Sequence, residues 1–83
     1  MKQIEMIAWF KSDTYPIPLR FRIEGEDKSK IVVKIDKVLF QEEEKLGGNR
    51  MVIYRCEGII QGLQKLFELK YEISTCKWFL FKL

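Results

Sequence analysis

Leu66–Ile73 carries the clearest alternation in the chain: Phe67, Leu69, Tyr71 and Ile73 are separated by Glu68, Lys70 and Glu72. Side chains of a strand point alternately to opposite faces, so this period puts the large apolar groups on one side and the charges on the other. Upstream, Val52, Tyr54 and Cys56 alternate with Ile53, Arg55 and Glu57, and Gln61-Gly62 between the two runs is a tight-turn signal. Folding about that corner sets Ile60 against Leu63, Cys56 against Phe67, Tyr54 against Leu69 and Val52 against Tyr71. On the other face Arg55 meets Glu68 as a salt-bridge pair, and Met51 meets Glu72. A slip of one residue would destroy both agreements, so the register of this hairpin is specified.

The same period organises the rest of the chain. Leu19-Arg20-Phe21-Arg22-Ile23 reads as a half-buried strand entered through Pro16 and Pro18, and Gly25–Ser29 as a turn. Ile31–Ile35 begins a β-branched strand that Val38-Leu39-Phe40 continues, with a bend or bulge expected at Asp36-Lys37. Glu42–Asn49 reads as a solvated hairpin loop with positive φ at Gly47-Gly48; a helical turn over Gln41–Leu46 is the weaker reading. Gly58, inside a strand pattern, marks a bulge or a close approach of backbones. Ser74–Lys77 closes a last hairpin, setting Tyr71 against Trp78 and Leu69 against Leu80 and turning Phe79 and Phe81 to the other face. Met1–Phe10 is read as a first strand, with Ile4, Met6, Ala8 and Phe10 on one side and Ile7 and Trp9 on the other. The expected fold is a single all-β domain over residues 1–83. It is a small, strongly curved antiparallel meander of five or six strands, partly closed like a barrel, with little or no helix.

Several function classes fall away on residue content. The 83 residues include no histidine, which removes histidine general bases, Ser-His-Asp and Cys-His systems and most transition-metal sites. Glu42, Glu43 and Glu44 are adjacent on a loop and share no desolvated cleft, so no shifted pKa is expected of them. Gly47-Gly48-Asn49-Arg50 lacks the lysine and the following helix of a phosphate-cradling loop. No catalytic residue, cofactor or metal is expected. Cys56 reads as an inert core thiol and Cys76 as an exposed one at a hairpin tip, too far apart to bridge. Two cysteines and the absence of a signal-like or membrane-spanning apolar run point to the cytoplasm of a bacterial-type cell and to no membrane partner.

Two surfaces remain as candidates. Met51, Ile53, Phe79 and Phe81 share one face, ringed by Arg55, Glu57, Lys70 and Glu72, which is how a protein interface is built; the competing reading is that Ile7 and Trp9 fold across and cover it. Arg20, Arg22 and Lys34 project from neighbouring strands near Trp9, Phe10 and Tyr15, as small barrels arrange basic and aromatic groups for single-stranded nucleic acid. The net charge of +3 is spread along the chain and marks no basic run.

Phe67-Glu68-Leu69-Lys70-Tyr71-Glu72-Ile73-Ser74-Thr75-Cys76-Lys77-Trp78-Phe79-Leu80 resembles the closing hairpin of small bacterial β-domains of unknown function with a Glu-Leu-x-Tyr-Asp-x-x-Thr-Gly-x-Trp-x-Leu pattern. The resemblance extends loosely to Pro18–Phe21 and to Gly47-Gly48-Asn49 before a strand. Cys76 stands where that pattern has glycine and Glu72 where it has aspartate, and both changes bear on the left-handed position of the turn. Some of these domains are encoded alongside translesion DNA polymerases, so the resemblance implies a connection with DNA repair or replication and transfers no active residue. The expectation is a non-enzymatic domain that binds a protein or itself, with nucleic-acid binding as the alternative.

Overall fold

A computed structural model describes residues 1–83. Six antiparallel strands follow one another in space as they do in sequence: β1 (Lys2–Trp9), β2 (Ile17–Glu24), β3 (Lys30–Leu46), β4 (Asn49–Ile60), β5 (Leu63–Glu72) and β6 (Lys77–Lys82). β1 also pairs with β6, so the meander closes into a barrel. Closure abolishes a free edge at the seam and gives every strand an inner and an outer row of side chains. No helix long and apolar enough to cross a membrane is present.

The β4–β5 register is the one the alternation dictates, running from Met51 opposite Glu72 to Ile60 opposite Leu63. Tyr71 opposes Trp78 and Leu69 opposes Leu80 in the next ladder. The inner rows supply Phe21, Val33, Val52, Tyr54, Cys56, Phe67, Leu69, Tyr71 and Trp78, which fill the interior as a packed core. Its aromatic groups are in contact, with Tyr54 and Trp78 centroids 5.3 Å apart and Phe21 edge-on to Phe67 at 5.5 Å. The Tyr54 hydroxyl donates to the Pro16 carbonyl at 2.5 Å, which ties the β1–β2 connection across the barrel wall. Burial pushes the Cys56 thiol up to about 12, as an inert core thiol requires.

A sheet this small closes only if its strands bend. The β3–β4 register shifts between Ile35 and Lys37, where the sequence predicts a bulge, and again between Val38 and Phe40. At Gly58 a Cβ would lie 2.4 Å from the Lys34 carbonyl oxygen, so a backbone approach, rather than flexibility, requires glycine there. A third shift, between Ile7 and Ala8 on β1, turns Leu19 outward, so the alternation predicted from Leu19 to Ile23 holds only from Arg20 onward.

Two further expectations about the strands are overturned. Glu42–Leu46 is neither loop nor helical turn: β3 runs on to Leu46 and only Gly47-Gly48 turns, both with positive φ. The hydrogen bonds of β4 extend the ladder past the point where the apolar alternation fades, which is why residue type alone did not show it. Arg55 and Glu68 oppose each other, but no ion pair joins them; the Arg55 guanidinium instead lies 5.8 Å from the Phe40 ring.

Candidate functional site

The barrel order divides the outer wall into two halves, β1–β2–β3 and β4–β5–β6, and each carries one of the candidate surfaces. On β4–β5–β6 the register aligns Ile53, Lys70 and Phe79 in one row, with Phe81 beside them on β6. Phe79 and Ile53 are half-buried and Phe81 is 39% exposed. Met51 shares the side but is only 8% exposed, so it supports this face from below and offers little to a partner.

Lys70, expected at the charged rim, lies in the middle of the face and is nearly buried. Its ammonium sits 3.1 Å from a Glu44 carboxylate oxygen and 4.0 Å from the Phe81 ring centroid. Because the long side chain is held at both partners, it packs over apolar surface without waving in solvent. Ile7 and Trp9 do not cover the face. β1 lies beside β6 in the same wall, pairing Gln3 with Phe79, and both Ile7 and Trp9 are exposed.

The β1–β2–β3 half is basic. Arg20 is flanked by Ile7 on β1 and Lys34 on β3, and Lys34 by Ile59 on β4, so two cations stand side by side in a row with apolar ends. Arg22, one step along, is neutralised by Glu5 at 2.8 Å, and the pair holds the Glu5 carboxyl below its ordinary range. Arg20 and Lys34 have no carboxylate within salt-bridge distance. A shallow groove of about 440 Å³ runs between Ile7, Arg20, Arg22 and Val32. Of the three aromatic groups expected here, only Trp9 remains on this surface. Phe10 meets the Tyr71 ring at 6.0 Å, and the Tyr15 hydroxyl donates to Glu43.

Glu43 is the residue that sequence reasoning missed. Arg50 binds its carboxylate with two donors, Nε at 2.6 Å and Nη2 at 2.8 Å, and Tyr15 adds a third. These bonds hold its pKa down to about 2, against the expectation of an unshifted loop carboxylate. A carboxylate held ionised by a fork and a phenol is an anchor for the 10–16 segment, not an acid poised to give up a proton. Tyr15 lies 28 residues away, and Arg50, seven away, reaches Glu43 only because β3 and β4 pair as far as Leu46 and Asn49, so no local pattern announces it. No cluster of three or more metal-ligating side chains is found.

Comparison with known proteins adds no relative. No family model, curated protein or solved structure matches the chain.

Proposed function

We propose that this protein is a non-enzymatic binding domain that works by self-association, pairing two copies through the outer face of β4–β5–β6. The observation that carries the reading is the Ile53–Lys70–Phe79 row with Phe81 beside it: outward apolar groups on a barrel whose interior is already full. A two-fold interface must be complementary to itself. This face meets that demand, because Lys70 lies at its centre and Glu44 reaches it from the bordering end of β3, so both signs of charge are present. The opposite half does not, since two copies of the Arg20–Lys34 pair would repel.

The organisation of the face favours binding as well. Lys70 is fixed between Glu44 and Phe81 before any partner arrives, so less side-chain freedom remains to be lost on association. A stable interface of about 800 Å² per copy would take a substantial share of the 5670 Å² surface, so the contact would extend beyond these residues along β5 and β6. The test is the double variant Phe79→Glu, Phe81→Glu in sedimentation equilibrium. The parent is expected to show a concentration-dependent mass rising toward twice 10.0 kDa, and the variant a folded monomer. A parent that stays monomeric at every concentration overturns the reading.

A further inference from the structure

We infer that the outer face of β1–β2–β3 is a second, independent binding site, and that it takes a single-stranded nucleic acid. The inference does not rest on self-association, which uses the other half of the barrel. Its starting point is an electrostatic cost. Arg20 and Lys34 are directly opposed across the β2–β3 ladder, and like charges in that position destabilise a sheet. Four cations elsewhere have a carboxylate partner, Arg22 with Glu5, Lys30 with Glu24, Arg50 with Glu43 and Lys70 with Glu44, and in the other directly opposed basic pair, Lys45 with Arg50, it is Glu43 that answers Arg50. The one directly opposed basic pair on this face is left unanswered, which is the arrangement a bound polyanion would relieve.

The surroundings of the pair choose the polyanion. Ile7, directly opposite Arg20, is 61% exposed; Trp9, two residues further along β1, is 55% exposed and Val32, two residues from Lys34 on β3, 56%, so apolar and aromatic surface borders the charges on this wall. The Lys11 ammonium lies 4.8 Å from the Trp9 ring centroid and adds a further cation at the edge of the face. Phosphates on Arg20 and Lys34 with a base against Trp9 satisfy both kinds of group at once. An acidic peptide satisfies the charges alone and leaves the indole without a planar partner. A flexible single strand can follow the curved outer wall, and its bases are free to stack, whereas those of a duplex are not.

The experiment is fluorescence anisotropy with an end-labelled oligothymidylate about 12 nucleotides long, within the span one small barrel covers, repeated over a range of salt concentrations. Two neutralised phosphates give a slope of log affinity against log salt of about −1.4. Arg20→Ala with Lys34→Ala is expected to flatten the parent's slope by about that amount. Trp9→Ala is expected to weaken binding about tenfold or more. Because Trp78 is buried in the core, quenching of intrinsic fluorescence on binding reports Trp9 directly. Phe79→Glu with Phe81→Glu is expected to bind the oligonucleotide as the parent does, so failure of self-association and failure of this site are separable. The inference is overturned by no binding at low salt, or by an unchanged slope in the folded Arg20/Lys34 variant. It is equally overturned if polyglutamate of matched charge competes as well as the oligonucleotide and Trp9 fluorescence does not change, the outcome expected of an acidic protein partner.

Discussion

Single residues hold this barrel at points where the strand pattern has no say. The Tyr54 hydroxyl is inside the wall and its one partner is the Pro16 carbonyl. Tyr54→Phe leaves that carbonyl unanswered and is expected to lower unfolding free energy by about 1–3 kcal/mol in urea titration, with the outer faces unchanged. Gly58→Ala drives a methyl group into the Lys34 carbonyl oxygen, a backbone atom that cannot swing aside, and is expected to cost about 1–3 kcal/mol or more. Cys76 presents the reverse case. It sits at φ 60° in the last turn, in the left-handed region where a non-glycine side chain is strained. Cys76→Gly removes that strain while keeping the backbone bond from the residue 76 amide to the Glu72 carbonyl. It is expected to raise stability by about 1 kcal/mol in the same titration.

Among the elements, the β3–β4 ladder carries the least foreseeable feature, the Glu43 anchor. Its carboxyl is held well below the value it has in an unfolded chain. The stabilisation is therefore fully present above about pH 4.5 and is lost as pH falls toward about 2, where the folded carboxylate takes up its proton. Glu43→Gln is expected to be less stable than the parent at neutral pH, and the difference should shrink steadily between those limits in thermal unfolding followed by circular dichroism. The contrast between this ladder and its neighbour shows what a sequence can reveal. β4–β5 was legible residue by residue, because a tight turn and two matched faces leave a single register. The end of β3 was not, because Glu42-Glu43-Glu44-Lys45 has no apolar alternation and its strand form is held by cross-strand bonds and by Tyr15. Lys70 was legible as outward-facing; its place at the centre of the face follows from Glu44 and Phe81, which reach it from β3 and β6.

At the scale of the whole molecule, the expected curved, barrel-like meander is present, and the pairing of β1 with β6 that completes its closure is the part no local signal announced. β1 and β6 meet through three residue pairs, Lys2–Leu80, Gln3–Phe79 and Ile4–Trp78, joining opposite ends of the chain. The shortest ladder is expected to open most readily, so amides of Lys2–Ile4 should exchange with solvent before those of β4 and β5 in native-state hydrogen exchange. Once the seam is closed, the wall has two outer halves of unlike chemistry: one apolar with both signs of charge, the other with an unanswered cationic pair beside an exposed indole. Their independence is the central claim, and one set of amide NMR spectra tests it. Dilution of the free protein is expected to shift resonances around Ile53, Lys70, Phe79 and Phe81, and addition of oligothymidylate to shift a separate set around Trp9, Arg20 and Lys34. A single shared set of shifted residues, or no shift in either series, would contradict it.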